Sequence, residues 1–571
     1  MRKRLPRSAL PIGALIVCYA ALESFYALRL PLVMDEFHGA SVIQELVERV
    51  PYRDTRPYKT VLGYFLQLPP LLVFPEAWAG LIATKLWMVL INGLALVWFS
   101  RTLARRYRVD AVLLALPLLL IMSSFLERSA ELRVDMLTAW AGVASLMLLL
   151  AGRYGLAGIV AGLSFLVSQK GAMYVAAGAL ACLIPLTWLQ FRRATVFCLS
   201  AAAAILAYVA VWTVPSSLES VIQPTFLSAA TVAATPVPMP RLEFWAQTLT
   251  FNPVFWCLGL LGLWSAYRST PTGGGAAPRE RALAAYGVVV FGLGVAYRHP
   301  WPYHFLLLIP TVFVLLVSWL DKVRRSHPTT NWLPLPAPLA GAYLVGGILL
   351  PCVSLYTTLS RDNTLQRLNV EFAHATLRPG EGYLAGMRLF RDRPHQPISL
   401  GWLDNARRVA LQARPSAALA ALADTIAADP PKLLFDNYRV RDLPCPLLRA
   451  LDANYRRTYG NIWLYAPLIE PGAARRIAYT ARYSVEATPG AHLMLGGTVY
   501  QAGDTVSADR GSVVSAQSGS VRLRLIPPVP VPVTDPGPRE LFYEHNRYHL
   551  PFAAPAVPSP DSFGSRCGRA E

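Results

Sequence analysis

Fifteen of the chain's carboxylates lie before residue 359, and several are bunched where they could do chemistry. Asp35-Glu36 directly follow an apolar stretch at about 8–28, at the depth where water meets lipid. An ionisable pair there is costly unless it faces a polar cavity, so a functional role is the default reading. One such carboxylate could act as a general base. The plainer reading makes Asp35 the N-cap of a helix Glu36–Val50, with Glu36 favourable to its dipole; the two readings are compatible. Next comes YRDTRPYK (52–59), a basic and aromatic cluster in which Arg56 or Lys59 could hold a lipid phosphate. Snorkelling of those side chains towards headgroups is its bland alternative. A second charged loop, ERSAELRVD (127–135), spaces Glu127, Glu131 and Asp135 four apart, on one face if the loop is helical. Arg128 pairing with Glu131 in a self-neutralising network is the alternative there. Lys170, Arg241, Arg298-His299 and His304 add further polar groups in short loops. A lone histidine of this type is more often structural than catalytic.

Positioning these groups falls to a chain with 54% hydrophobic and only 15% charged residues and a mean hydropathy of +0.37. That composition excludes a disordered, fibrous or coiled-coil protein and disfavours a soluble enzyme. Apolar runs predict eleven spans at about 8–28, 77–100, 109–126, 134–151, 155–168, 171–189, 194–213, 252–268, 282–297, 303–320 and 332–358. Segment 60–75, split by Pro69-Pro70, reads as a helix lying at the interface. With the N-terminus cytoplasmic, the loops on its side hold 17 basic residues against three acidic ones, Asp110, Glu280 and Asp321. The positive-inside rule therefore gives an N-in topology, with residues from 359 onward outside. No clear cleavage site precedes Arg29, which argues against a removed signal peptide. The net charge of +19 arises largely from this sorting, and the basic loops are too short to read nucleic acid.

The fold class predicted is a mainly α polytopic bundle, residues 1–358, carrying a C-terminal exocytoplasmic α/β domain, 359–475, and a β-rich segment with a Pro-rich tail, 476–571. In the α/β part, strands are expected at 382–386, 432–436 and 462–466 and helices at 415–428 and 444–459, forming a small parallel sheet. Cys445 and Cys567 could form a disulfide outside the cytoplasm. No cysteine pair has zinc-ligand spacing, and no chemistry is assigned to this region.

The residues Asp35-Glu36, the basic-Pro-aromatic stretch Arg56–Lys59, Arg133-Val-Asp135, Gly162 with Gln169-Lys170-Gly171, and the loop Tyr297–His304 resemble, in this order, the GT-C superfamily of polytopic glycosyltransferases. The likeness is to protein O-mannosyltransferases and aminoarabinose transferases, and it covers about residues 1–358. It implies transfer of a hexosyl or pentosyl group from a polyprenyl-phosphate donor to a lipid, polysaccharide or protein acceptor on the outer face of a bacterial-type inner membrane. The implied roles are Asp35 with Glu36 as catalytic carboxylates, and Arg56, Lys59 and Arg298 on the donor phosphate. Glu131, Arg133, Asp135, Lys170 and His299 would bind acceptor or support the site. Relatives often carry Lys-Pro-Pro where this chain has Arg-Pro-Tyr-Lys, so the choice between Arg56 and Lys59 stays open. A departing lipid phosphate needs electrostatic stabilisation but no general acid. No cofactor is required, although a divalent cation could bridge the acidic groups. The competing class is a transporter or flippase of lipid-linked glycans, which would favour in-span charges along a path and repeated halves. Glu23 and Lys85 are the main in-span charges, and no repeat is visible. A non-catalytic anchor would not need so many spans.

Overall fold

Long apolar runs can satisfy their backbone polar groups in lipid only as helices or closed barrels. The chain, seen here in a computed structural model, is mainly helical up to Thr376 and mixed, then β-rich, after it. The structure describes residues 9–55, 57, 59–74, 77–227, 241–269, 276–298, 301–326, 337–359, 361–386, 389–390, 416–441, 443–537, 563 and 567. These form two units: described residues of 9–30 and 42–362 make the first, and those of 31–41 and 363–537 with 563 and 567 the second.

In the first unit, Ala77–Ala104 shows how the sequence selects its faces. Leu90, Leu94 and Trp98, one helical turn apart, are 50%, 62% and 43% exposed, whereas Met88, Asn92, Leu96, Phe99 and Leu103 are buried. A helix with an apolar row turned outward and a partly polar row turned inward suits lipid on one side and protein on the other. Leu10–Arg29, Trp78–Ala104 and Trp188–Thr213 are each long and apolar enough to cross a membrane. Arg241–Phe251 and Pro253–Tyr267, bent by 96° at their break, would together make a fourth. Of the other expected spans, nearly all of 282–297 lies within the continuous helix Ala276–Ala296 and most of 303–320 within Ile309–Ser326, while the rest form shorter or interrupted helices among the described residues. Val109–Leu120 is an example: it stops before Met122, where Ser123–Leu126 starts a separate turn. Twelve residues rise about 18 Å, short of a hydrocarbon core about 30 Å thick. Hydropathy reads apolar residues across such breaks because it does not register where the hydrogen-bond ladder ends. Segment 60–75 is likewise two short helices, Leu62–Gln67 and Pro69–Val73.

Ion pairs gather the basic loops. Asp110 binds Arg324 at 2.8 Å and Arg108 at 3.1 Å, Asp321 binds Arg325 at 2.9 Å, and Glu280 binds Lys322 at 3.2 Å. The Arg108 backbone N–H also donates to Asp321 at 2.9 Å. All three carboxylates assigned to the basic side of the sequence therefore bind cations of that side.

The second unit contains a four-stranded sheet in the order β1 (Tyr383–Leu384), β2 (Leu433–Phe435), β4 (Ile462–Tyr465), β3 (Tyr455–Tyr459). Only β1 and β2 run parallel; β2–β4 and β3–β4 are antiparallel, so the expected parallel sheet is in fact mixed. The cause lies in one misread element. Residues 444–459 are a helix, Cys445–Asn454, only as far as Asn454, and then the strand β3. Gly460, at φ +50, turns β3 back into β4 as a hairpin. After β5 (Leu468–Ile469) the chain builds two antiparallel sheets from β6 (Ala474–Arg476), β7 (Ala481–Ala487), β8 (His492–Leu495), β9 (Thr498–Tyr500), β10 (Thr505–Ala508), β11 (Val513–Gln517) and β12 (Val521–Leu525). Their orders are β10-β7-β12-β5 and β6-β11-β8-β9. Cys445 and Cys567 are joined in a disulfide, and Phe563 packs on Trp463 at 4.3 Å between ring centroids.

Candidate functional site

Two helices of the first unit set the register of its polar cluster. Asp135–Leu150 runs into Tyr154–Val167, and the Ser164 hydroxyl donates to the Thr138 carbonyl at 2.9 Å, so the residues just after Val167 lie beside Asp135. There the chain makes a tight turn, Gln169–Gly171. A Cβ at Gly171 would press on the backbone of Ser164 and Phe165, so glycine lets this turn close over the preceding helix. Lys170 is thereby brought to Asp135, Nζ to Oδ1 2.6 Å, while the other carboxylate oxygen faces Arg133 Nε at 3.2 Å. Tyr303, on the turn Pro302–Leu307, lies beneath both cations: its ring centroid is 3.2 Å from the Arg133 guanidinium carbon and 4.4 Å from the Lys170 ammonium. The charge of Lys59 is felt at both Asp135 and Lys170. The Gln67 amide donates to the Arg133 carbonyl at 2.9 Å, and Tyr297 stacks on His304 at 4.5 Å.

The loop before this cluster is buried rather than solvated. Arg128 Nη1 bonds Glu131 Oε1 at 2.5 Å, with both side chains under 5% exposed, and Asn92 donates to the Ser129 carbonyl at 2.9 Å. Residues 127–134 are not helical, and the next helix begins at Asp135. The four-residue spacing of Glu127, Glu131 and Asp135 therefore sets no common face. Glu131 follows the self-neutralising alternative, while Asp135 holds Lys170 and Arg133. Glu131 also faces Arg133 Nε at 3.9 Å, so the cations Arg128, Arg133 and Lys170 share the carboxylates Glu131 and Asp135. Cations held close together in a buried setting suit an anion. Burial lowers the Lys170 pKa to about 8 despite the opposing pull of Asp135.

Asp35 and Glu36 belong to the second unit. Their helix is Met34–Glu48, so Asp35 lies inside its first turn rather than capping it. Glu36 takes the third helical position and accepts the Val33 backbone N–H at 2.8 Å, one half of a capping box. Glu36 is 1% exposed, whereas Asp35 is half-buried and pairs with Arg439 at 3.5 Å. The Gln366 amide clamps Leu32 just before them, accepting from its N–H at 2.8 Å and donating to its carbonyl at 2.9 Å. Arg298 is exposed beyond the helix Ala276–Ala296. Arg56 and His299 lie outside the described residues. Among the described residues, no group of three or more His, Cys, Asp or Glu side chains is arranged to hold a metal ion.

Sequence reading missed Tyr303, Gln67 and Arg439. Tyr303 sat within a loop already singled out, but its cation partners are 133 and 170 positions into the chain, a pairing that no local pattern encodes.

No protein-family model matches the chain, and no curated protein matches it by sequence. Nine solved chains are similar in structure. Among them is ArnT from Cupriavidus metallidurans in its apo state, at 17% identity and TM-score 0.45, with 64% of this chain and 67% of that one covered. The same protein bound to undecaprenyl phosphate aligns at 14% identity and TM-score 0.49, over 88% of this chain and 97% of that one. The arabinosyltransferase EmbB from Mycobacterium smegmatis aligns at 12% identity and TM-score 0.41, over 92% and 65%. These structural neighbours are GT-C glycosyltransferases, the superfamily the sequence resembles.

Proposed function

We propose that this protein is a membrane glycosyltransferase that moves a sugar from a polyprenyl-phosphate donor to an acceptor on the outer face. The observation that carries this reading is the buried Lys170–Asp135–Arg133 cluster with Lys59 and Tyr303. It combines closely placed cations, as a phosphate requires, with rigid placement. Lys170 and Arg133 are fixed by one shared carboxylate and one aromatic ring. When the sugar–phosphate bond breaks, negative charge grows on the leaving phosphate, and preorganised cations stabilise that charge without waiting for solvent to reorient. No proton need be donated to this leaving group. Asp135 acts here as a positioning residue, with Glu131 bridging Arg128 and Arg133. Asp35, half-exposed and held by Arg439, is assigned the acceptor's proton. Glu36 supports it by fixing the first turn of its helix.

An eleven-pass, N-in arrangement in a bacterial-type inner membrane completes the proposal. The gathering of Asp110, Glu280 and Asp321 with cations of the same expected side supports that topology. So does the assembly of Lys59, Arg133, Lys170 and Tyr303 from loops expected on the opposite side. A path for flipping whole lipid-linked glycans finds less support, because Glu23 is tied down locally, accepting from Ser129 Oγ at 2.8 Å. The test is sugar transfer in membranes from cells expressing the protein. Asp35→Asn is expected to abolish transfer while leaving expression and insertion intact; normal transfer by that variant would remove Asp35 from the assignment.

A further inference from the structure

The second unit holds a cavity of about 630 Å³, a volume suited to a small discrete ligand. One wall is the turn Arg378–Gly382 with the end of the helix Ser416–Ala428; the facing wall is β6 with the residues after it and the turn bearing Arg510. Four arginines line it, Arg378, Arg475, Arg476 and Arg510. Arg475 is committed to the fold, donating to the Leu468 carbonyl at 3.1 Å and to Asn454. Arg378, Arg476 and Arg510 are exposed, and among the described residues none of their guanidinium groups has a hydrogen bond or an ion pair.

The carboxylates nearby do not cancel them. Glu381 is occupied by Lys432 at 2.6 Å and by the Arg378 backbone N–H at 2.7 Å. That leaves Asp429 as the one uncommitted acid among the lining residues. Three unpaired guanidinium groups around one concavity repel one another, and an anion within it would relieve that repulsion. The half-buried Tyr479 ring adds an amphipathic face of the kind sugars stack on, its hydroxyl fixed to the Pro430 carbonyl at 2.5 Å. Asp429 is suited to accept from ligand hydroxyls.

We propose that this cavity binds an anionic saccharide, with Arg378, Arg476 and Arg510 on its carboxylate or phosphate groups and Tyr479 and Asp429 on its ring and hydroxyls. A lipid surface fits less well. Among the described residues, the large exposed apolar side chains of this unit, Val499, Val513, Val531 and Val533, all lie outside the lining. The proposal goes beyond the proposed sugar transfer and does not depend on it.

The test uses the full-length protein in detergent, titrated with trigalacturonate, glucose 1,6-bisphosphate, neutral maltotriose and phosphatidylglycerol vesicles. At least one anionic sugar should bind, and maltotriose should not. Loss of two charge-assisted contacts in Arg476→Ala/Arg510→Ala should weaken binding by about tenfold or more. Arg378→Ala should weaken it less, and added salt should weaken it in the native protein. Which of the two anionic probes binds distinguishes carboxylate from phosphate recognition. The idea is overturned if neither anionic sugar binds, if maltotriose binds equally well, if vesicles bind in preference to the sugars, or if the double variant binds like the native protein. Donor turnover should be unchanged in the double variant, so this result stands apart from the transfer reading.

Discussion

Replacing Lys170 by methionine keeps most of the side chain's bulk and removes the ammonium that sits 2.6 Å from Asp135. A unit charge about 4 Å from a phosphate oxygen is worth about 4 kcal/mol at an effective dielectric near 20. Lys170 keeps 16% of its side chain exposed and already shares its charge with Asp135, so roughly half of that should reach the donor. At about 1.4 kcal/mol per tenfold, the expected loss in kcat/KM is therefore on the order of 30-fold. Folding should survive, because Asp135 retains Arg133 at 3.2 Å. The assay is release of polyprenyl phosphate from a labelled donor by purified protein, beside thermal melting of the variant. Activity within about threefold of the native protein, with melting unchanged, would show that Lys170 does not face the donor phosphate and that the cation cluster serves the fold alone.

Further outcomes follow from the same geometry. Because the Lys170 pKa is lowered to about 8, donor affinity should fall as pH rises through that value, and Lys170→Arg should move the fall to higher pH. The sign separates this from unfolding: a lysine depressed from 10.5 binds fewer protons folded than unfolded, so its contribution to stability grows over the window from about 8 to 10.5 while activity declines. A melting curve that collapsed in step with activity would count against the assignment. Gly171→Ala should lower stability by about 1–3 kcal/mol, because its Cβ meets the Ser164 backbone; an unchanged melting temperature would show that the turn tolerates a side chain. Cys445→Ser should cost about 2–4 kcal/mol, the disulfide closing a separation of 122 residues. Its readout is limited proteolysis of the second unit with and without reductant, and equal resistance would contradict it.

Much of the fold was legible because hydropathy and charge report solvent directly. The helix at 416–428 and the strands at 433–435 and 462–465 lie where pattern put them. Three features were not legible, each for a physical reason. The end of the helix Cys445–Asn454 depends on β3 finding β4 across a hairpin, a pairing set by tertiary context rather than local propensity. The bend of 96° within residues 241–267 falls at Asn252-Pro253, where an apolar window records composition but not direction. The charged loop 127–135 read as a helical face because carboxylate spacing is blind to burial. In the structure its side chains turn inward, Glu131 onto Arg128 and Asp135 onto Lys170, a residue 35 positions away. For the same reason Asp35 was legible as a carboxylate worth noticing, while its partner Arg439, more than 400 positions later, was not.

The central claim, that the donor's sugar–phosphate bond is broken, is tested most directly by the fate of that donor. Purified protein incubated with a polyprenyl-phosphate sugar and an outer-face acceptor extract should yield free polyprenyl phosphate and an acceptor heavier by one sugar, both seen by mass spectrometry. A donor recovered intact, or moved intact across a vesicle bilayer, would contradict a transferase and favour transport.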